Sequence, residues 1–254
     1  MTKTALTIAG SDPYSGGGLQ TDLLTFQQYG IFGLSATTSI VSFNDDKFVI
    51  NQLESKLLEK QIESLYKVNL DVIKIGLLAN VENIKTIKDF ITYQLLNTPV
   101  VLDPILAFKE GKIHLDKNYL QALIDDLLPL ASVITPNIKE AETLSGIKIS
   151  SIDDMQIAAK KIADYGVDNV VVKGKADDVL YVNKQFSIAS SQLIDTSTIN
   201  GAGDAFSSAI ASNLALGQGV QEAIEDAKVF ATKSIVNGIN LNQQFGSAWP
   251  KNDH

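Results

Sequence analysis

Short apolar segments alternate with longer amphipathic segments along most of this chain. Six runs rich in β-branched residues predict strands at residues 5–9, 36–41, 72–75, 100–102, 133–134 and 170–172. Apolar residues recur at helical spacing between these runs and predict helices over residues 20–28, 53–66, 81–96, 119–128 and 152–165. Strands that alternate with helices predict an α/β fold, with a central, mostly parallel sheet covered by helices on both faces.

The last third of the chain departs from this alternation. Residues 179–188 contain two short strand patterns with Asn183 and Lys184 between them, which predicts an antiparallel hairpin at the sheet edge. Two helices are predicted to follow over residues 202–216 and 220–236, each ended by glycine. The polar tail, residues 239–254, is expected to be loosely held. Because no linker-like segment or repeat interrupts the pattern, residues 1–254 are predicted to form one domain.

Composition excludes several kinds of chemistry. The 254 residues carry a formal net charge of −8, which disfavours a nucleic-acid partner. The chain has no cysteine, which excludes thiolate catalysis and disulfides, and its two histidines disfavour a multi-histidine metal site. No apolar segment approaches the roughly 18 residues of a membrane span, and the glycine-broken start does not resemble a signal peptide. We therefore expect a cytoplasmic protein that does not bind membranes.

Residues typical of ligand sites accumulate where the predicted strands end. They are Gly10, Asp12 and residues 16–18 after the first strand, then Lys74, Gly76, Asp103, Asn137, Lys173 and Gly174 at the ends of later strands. Each of them alone is also an ordinary turn residue. Because ligands bind at the carboxyl ends of the strands in open α/β sheets, their accumulation along one edge predicts a binding site there.

The clearest chemical signal is Asn-Gly-Ala-Gly-Asp at residues 200–204. Glycines let the backbone approach a ligand closely, and the predicted helix behind them presents N–H groups and the positive end of its dipole. Gly201, Ala202 and Gly203 are therefore predicted to form an anion hole for a transferring phosphoryl group. Asp204 would lie in the first helical turn, where it can accept the proton of an attacking hydroxyl. The alternative for Asp204 is an acid that only stabilises the helix start.

Other nucleotide-binding motifs fit this sequence poorly. Gly174-Lys175-Ala176 lacks the Ser or Thr that follows the lysine of a P-loop. Residues 10–18 lack the glycine spacing of a dinucleotide-binding turn, and Phe206 occupies the place of the third glycine in the later segment. A P-loop enzyme and an NAD-dependent enzyme are both disfavoured.

Taken in order, these motifs resemble the vitamin kinases of the ribokinase superfamily. The similarity covers about residues 6–235 and lies with the branch of hydroxymethylpyrimidine/phosphomethylpyrimidine kinases and bacterial pyridoxal kinases. It rests on residues 6–12, 16–23, 74–78, 101–104, 134–141, 172–174 and 201–204. The resemblance implies a ribokinase-like fold, ATP and Mg²⁺ as cofactors, a small-molecule vitamin substrate, and a homodimer.

The resemblance also implies roles for individual residues. On the substrate side it implies a pocket formed by Gly10, Asp12, Phe43, Leu77 and Ile105, with Asp22 at its edge. On the nucleotide side it implies Asn137, Lys173 and Gly174, and it assigns Mg²⁺ and the phosphates to Asp103 and Glu140. Gly201, Ala202 and Gly203 would form the anion hole and Asp204 would be the catalytic base.

Two positions differ from the family pattern. Phe43 stands where the pyrimidine kinases carry a glutamine that pairs with the aminopyrimidine, and a phenylalanine can pack on a ring but cannot supply those hydrogen bonds. The pyridoxal kinases of this branch carry an apolar residue there. Asp204 stands where most of the branch has cysteine, so a thiol adduct with the aldehyde of pyridoxal is excluded while base catalysis is retained.

These observations favour an ATP-dependent kinase acting on the 5′-hydroxymethyl group of pyridoxal, pyridoxine or pyridoxamine. The nearest alternative is a hydroxymethylpyrimidine or phosphomethylpyrimidine kinase of thiamine biosynthesis. A sugar kinase is a weaker alternative, because the chain lacks an obvious insertion between the first two strand–helix units. A vitamin-binding protein without catalysis is a further alternative, which the retained Asp103, Asn137, Glu140 and Asp204 disfavour.

Overall fold

The computed structural model describes residues 2–44, 47–94, 98–106, 117–192, 194, 196–242 and 245–251. Its strands are β1 Thr4–Ser11, β2 Phe32–Asn44, β3 Lys47–Gln52, β4 Val72–Ile75, β5 Val100–Leu102, β6 Val133–Ile134, β7 Val170–Val172, β8 Asp177–Val182, β9 Gln185–Ser190, β10 Ile239–Asn240 and β11 Gly246–Ser247. Its helices are α1 Gly18–Gln28, α2 Ser55–Glu63, α3 Val81–Gln94, α4 Lys117–Ala122, α5 Ile138–Ser145, α6 Ile152–Ala163, α7 Ala202–Ala215 and α8 Val220–Val236. The predicted α/β fold is confirmed.

One large sheet organises the described residues. Its strand order is β3-β2-β1-β4-β5-β6-β7-β8-β9, and the pairings from β2 through β7 are parallel. The outer strands β3, β8 and β9 are antiparallel to their neighbours. The carboxyl ends of β1, β4, β5, β6 and β7 therefore meet along one edge of the sheet.

The continuous apolar runs form strands because both faces of the sheet are buried. On one face, Leu6 and Ile8 of β1 pack with side chains of α2, α3, α5 and α6. On the other face, Ala5 packs with Phe26 of α1 and with α7 and α8. Helices cover both faces, as the alternation predicts.

The predicted elements differ from the observed ones mainly at their ends. Predicted helix 119–128 begins at Lys117 and changes after Ala122 into a π-helical turn, Leu123–Leu127, and a 3₁₀ turn, Leu128–Leu130. Predicted helix 81–96 is observed to Gln94, and the remainder lies outside the described residues. The prediction missed β3, the second strand of an antiparallel pair with β2, and α5.

The predicted edge hairpin is confirmed. β8 and β9 pair in antiparallel register from Asp177 opposite Ser190 to Val182 opposite Gln185. Asn183 and Lys184 form the two-residue turn with φ values of 51° and 62°. Two consecutive residues with positive φ define the type I′ turn that matches the twist of paired strands.

The expectation of a loosely held tail is wrong for residues 245–250. The hydroxyl of Ser247 donates to the carbonyl of Ser15 at 2.7 Å, and the amide of Trp249 donates to the carbonyl of Ser234 at 2.9 Å. Phe245 and Ala248 are buried. Contacts with the loop after β1 and with α8 hold this segment, and a local polar pattern does not reveal them. Among the described residues, no helix combines the length and apolar character needed to cross a membrane.

Candidate active site

Two adjoining cavities lie at the carboxyl edge of the sheet. The first, of about 450 Å³, is bounded by the glycine loop after β1 and by Asp103 and Asp204. The second, of about 660 Å³, lies between the β7–β8 corner and the helices α7 and α8. Asn137, Lys173 and Gly203 line both cavities. The arrangement can hold two ligands with their reacting ends at a common junction, and we call these the first cavity and the second cavity.

Close backbone packing defines the glycine loop, residues 16–18. Gly18 has a φ of 64°, and a Cβ there would overlap the carbonyl oxygen of Gly10. A Cβ on Gly17, whose φ is 151°, would lie 2.6 Å from Oδ2 of Asp204. Only residues without a side chain allow this loop to approach the start of α7 so closely.

The segment 200–204 begins α7, as predicted. Gly201 precedes the helix with a left-handed φ of 81°, and a Cβ there would lie 3.3 Å from the amide nitrogen of Gly17. Asp204 falls in the first helical turn and lines the first cavity, while Gly203 lies at the junction. Ala202 lines the second cavity, and its amide donates to the carbonyl of Ile199 at 3.2 Å. Of the three residues predicted for the anion hole, Gly201 lines the first cavity, Ala202 the second and Gly203 both, and the amide of Ala202 is already used in its bond to Ile199.

A buried ion network fixes the carboxylate of Asp204. Nζ of Lys74 lies 2.7 Å from Oδ1 of Asp204 and 2.8 Å from Oδ1 of Asp22, and both Lys74 and Asp22 are completely buried. Because Oδ1 of Asp204 is paired with Lys74, its Oδ2 is the oxygen directed at the glycine loop. The network orients one carboxylate oxygen of Asp204 towards the first cavity.

Burial and charge act in opposite directions within this network. Burial raises the pKa of Asp22 to about 6, since the attraction of Lys74 offsets only part of the desolvation and the charge of Asp204 adds to it. Burial also disfavours the charged form of Lys74, but the carboxylates of Asp204 and Asp22 outweigh it and raise its pKa above the ordinary value. Lys74 is therefore a permanent cation beside Asp204.

Asp22 was predicted at the edge of the substrate pocket, and the structure places it elsewhere. It is absent from the walls of both cavities described here and lies beneath the first one, on α1. Its carboxylate accepts hydrogen bonds from Thr7 and from Ser208, the latter at 2.6 Å. Asp22 thus joins β1, α1 and α7 to Lys74 and positions Asp204 indirectly.

A second charged cluster stands at the junction. Nζ of Lys173 lies 3.0 Å from Oδ1 of Asp103, and a Cβ on Gly203 would lie 3.4 Å from that Nζ. Burial raises the pKa of Glu140 to about 7, with Lys173 lowering it and Asp103 raising it further. Burial disfavours the charged form of Lys173, but Asp103 and Glu140 outweigh it and raise the pKa of Lys173. Two carboxylates and a lysine therefore border the anion hole.

Glu140 is held in place by the start of α5. The side chain of Asn137 accepts from the amide of Glu140 at 3.1 Å, and the carboxylate of Glu140 accepts from the amide of Asn137 at 2.8 Å. This reciprocal pair is a capping box. The carboxylates of Asp103 and Glu140 both reach the first cavity, and such oxygen donors suit Mg²⁺, which keeps several water ligands beside one or two carboxylates. The residues present therefore fit the expected Mg²⁺.

The walls of the first cavity contain most of the residues predicted for the substrate side. Gly10, Asp12, Leu77 and Ile105 line it, together with Val41 and the unpredicted Phe245. Phe43 is not among the lining residues, but its ring lies 5.5 Å from that of Phe245. The cavity therefore combines apolar walls with a few polar groups, which is typical of sites for small aromatic ligands.

The second cavity contains the residues predicted for the nucleotide side. Asn137, Lys173 and Gly174 line it, and so do apolar side chains and further lysines to which the sequence analysis assigned no role in the site: Ile138, Ile194, Ile199, Phe206, Ile235, Lys139, Lys175 and Lys228. Lys228 pairs with the buried carboxylate of Asp178 at 2.7 Å, and Asp178 also accepts from the amide of Gly174 at 2.9 Å. These bonds fix the β7–β8 corner against α8.

The sequence marked Lys74 only as a strand-end residue without a chemical role, and it did not mark Phe245. A signal was available for Lys74, because a lysine in the middle of the apolar run 72–75 must be paired when both faces of the strand are buried. No comparable local signal marks Phe245, which lies in a polar tail and reaches the cavity only through tertiary contacts.

The fold and the joined cavities define the class of protein. A mostly parallel sheet, a glycine loop, an aspartate in the first turn of α7 and a charged junction are the parts of a ribokinase-like phosphotransferase. More particularly, the chain belongs to the phosphomethylpyrimidine kinase family, whose model matches residues 12–249. The resemblance seen in the motifs is therefore confirmed.

The similar proteins include kinases named for pyridoxine or pyridoxal and kinases named for hydroxymethylpyrimidine and phosphomethylpyrimidine. The chain is 40% identical over 258 residues to pyridoxine kinase of Bacillus subtilis, covering 95% of this chain and 93% of that protein. It is 38% identical over 256 residues to hydroxymethylpyrimidine/phosphomethylpyrimidine kinase of Haemophilus influenzae, covering 96% and 95%. The ADP complex of Bacillus subtilis pyridoxal kinase matches with a TM-score of 0.91 at 36% identity, covering 98% of both chains. Staphylococcus aureus pyridoxal kinase with AMP-PCP and pyridoxal matches with a TM-score of 0.88 at 35% identity, covering 98% and 93%.

Proposed function

We propose that this protein is an ATP- and Mg²⁺-dependent kinase that phosphorylates the 5′-hydroxymethyl group of pyridoxal, pyridoxine or pyridoxamine. The observation that carries the proposal is the position of Asp204. One of its oxygens is paired with Lys74 and the other faces the first cavity, next to the junction with the second. The similarity to kinases named for pyridoxine and pyridoxal supports it.

The geometry suits direct transfer from ATP in the second cavity to a vitamin in the first. Oδ2 of Asp204 accepts the proton of the hydroxymethyl group, whose oxygen attacks the γ-phosphorus while the bond to ADP breaks. Lys74 keeps Oδ1 fixed, so the accepting oxygen does not rotate away. The start of α7 and Lys173 lie beside the phosphoryl position and stabilise its negative charge. Mg²⁺ held by Asp103 and Glu140 would neutralise charge on the phosphates.

The ring site favours a pyridine over an aminopyrimidine. Phe245, Leu77 and Ile105 line the first cavity with apolar side chains, and the ring of Phe43 packs against that of Phe245. A site without a dedicated hydrogen-bonding group loses the discrimination that such a group provides. The similarity to the Haemophilus influenzae pyrimidine kinase keeps phosphorylation of hydroxymethylpyrimidine as the second candidate function.

The substitution Asp204→Asn tests the proposed base. It keeps the size of the side chain and removes the proton acceptor, so we expect kcat to fall by about 10²–10⁴-fold while ATP binding changes little. Asp153→Asn is a matched control, because Asp153 is an exposed acid in the first turn of another helix, α6, away from both cavities. Full activity of Asp204→Asn in a coupled ADP-release assay would remove Asp204 from the base role.

We also propose that the chain is a single kinase domain that works as a homodimer in the cytoplasm. The near-complete coverage of relatives that are named as kinases supports one domain, and the need for ATP supports an intracellular site. Light scattering during size-exclusion chromatography measures the oligomeric state, and a monomer mass at micromolar concentration would contradict the dimer.

A further inference from the structure

The aromatic ring of Phe245 forms part of the wall of the first cavity, although it belongs to the C-terminal segment. Phe245 is 8% exposed. Among the described residues that line this cavity, it is the one with an aromatic side chain. A Cβ on Gly16 would lie 2.5 Å from Cζ of Phe245, so the ring rests directly on the glycine loop. Phe245 and the glycine loop therefore hold each other in position.

Phe245 is also one of three rings grouped beside this cavity. Its centroid lies 5.0 Å from that of Tyr14 and 5.5 Å from that of Phe43, and Tyr14 and Phe43 are 4.5 Å apart. These distances are within the range of favourable aromatic pairs. Of the three rings, that of Phe245 lines the cavity. The ring contact with substrate that the sequence assigned to Phe43 is therefore available to Phe245, and Phe43 packs against Phe245.

The segment that carries Phe245 is hydrogen-bonded to the loop after β1 and to Asn200, the residue before Gly201. Ser247 donates to the carbonyl of Ser15, and the side-chain amide of Asn200 donates to the carbonyl of Gly246 at 2.9 Å. The amide of Ala248 donates to the carbonyl of Asn200 at 2.8 Å. This segment thus joins the loop that carries the glycines to the residue just before the anion hole. These bonds fix the position of the Phe245 ring relative to Asp204.

We propose that Phe245 is a substrate contact that packs against the aromatic heterocycle and selects for it. The inference rests on the proposed function and names the group that recognises the ring. A phenylalanine offers apolar and aromatic contact and no hydrogen bond, so it favours a methylated pyridine over an aminopyrimidine whose polar edge would lose water without compensation.

The test separates contact with the ring from support of the tail. Phe245→Leu keeps an apolar side chain that can hold the segment but removes the aromatic ring. We expect the KM for pyridoxal to rise about three- to tenfold with the KM for ATP unchanged. The ratio of kcat/KM for pyridoxal to that for hydroxymethylpyrimidine should fall. Trp249→Ala is the matched control, since Trp249 is an exposed aromatic residue of the same segment and should leave both values unchanged.

Three results would overturn the inference or its basis. An unchanged KM and substrate ratio in Phe245→Leu would show that Phe245 only supports the tail. An equal rise in both KM values, matched by Ser247→Ala, would show that the segment acts through the loops. Calorimetric titration of the unsubstituted protein with pyridoxal distinguishes these two results from failure of the proposed function. If the unsubstituted protein neither binds pyridoxal nor turns it over, the proposed function and this inference are both refuted.

Discussion

Replacing Lys74 by methionine should cost far more stability than replacing an exposed lysine in an ion pair of the same length. Lys74 lies between Asp22 and Asp204, and its removal leaves two carboxylates close together with Asp22 completely buried. Breaking a buried ion pair from one side costs about 3–5 kcal/mol. Lys3, by contrast, pairs with Asp71 at 2.7 Å while both side chains are partly exposed, so Lys3→Met should cost about 0–1 kcal/mol.

The loss should also depend on pH in a defined direction. The pKa of Asp22 is about 6 because of burial, even with Lys74 present, and loss of the cation raises it further. A carboxyl group whose pKa is higher in the folded state costs stability above that pKa, and this cost disappears as the pH falls towards the unfolded value. The destabilisation of Lys74→Met should therefore be larger at pH 8 than at pH 6.

Urea unfolding at these two pH values measures both effects. We expect the double variant Lys74→Met, Asp22→Asn to recover part of the lost stability, because it removes one of the two opposed carboxylates. We also expect kcat to fall in Lys74→Met, since Asp204 loses the bond that orients it. A cost below about 1 kcal/mol, or a cost independent of pH, would refute the idea that Lys74 balances and positions this pair.

Two further predictions concern backbone geometry. Gly17→Ala places a methyl group against Oδ2 of Asp204, at a residue with a positive φ. We therefore expect kcat to fall at least tenfold while the KM for ATP is unchanged. Turnover equal to that of the unsubstituted protein in a steady-state assay would contradict the close approach. Asn137→Ala removes the cap of α5, so it should lower the free energy of unfolding by about 1 kcal/mol and raise the KM for ATP. Asn137→Asp should retain the cap. An equal loss of stability in both variants, measured by thermal unfolding, would contradict the capping role.

The sequence predicted those parts of the fold that leave a local pattern of apolar and polar residues. Runs such as 72–75 and 170–172 were recognisable because a strand buried on both faces needs apolar residues at every position. β3 was missed because its pattern is mixed and its pairing with β2 is antiparallel at an exposed edge. α5 was missed because it spans only 8 residues, too few for the apolar periodicity of a helix to stand out.

The candidate site divides in the same way. Glycines and acids at strand ends could be recognised because their spacing is local, and the structure brings Asp103, Asn137, Lys173 and Asp204 to the wall of the first cavity. The place of Asp22 beneath the cavity depends on its pairing with a lysine 52 residues away. The tail segment depends on a hydrogen bond between residues 232 positions apart. Such long-range contacts have no local sequence signature.

The central claim is that a B6 vitamer accepts the γ-phosphate of ATP in this site. The most direct measurement is ADP release with ATP and Mg²⁺ in the presence of pyridoxal, pyridoxine, hydroxymethylpyrimidine, its monophosphate or ribose. We expect selective turnover of pyridoxal and pyridoxine, in keeping with the apolar ring site. Preferred turnover of the pyrimidines would contradict the substrate assignment and leave the kinase assignment standing. No turnover of any of these compounds, with the protein folded and ATP bound, would contradict the account itself.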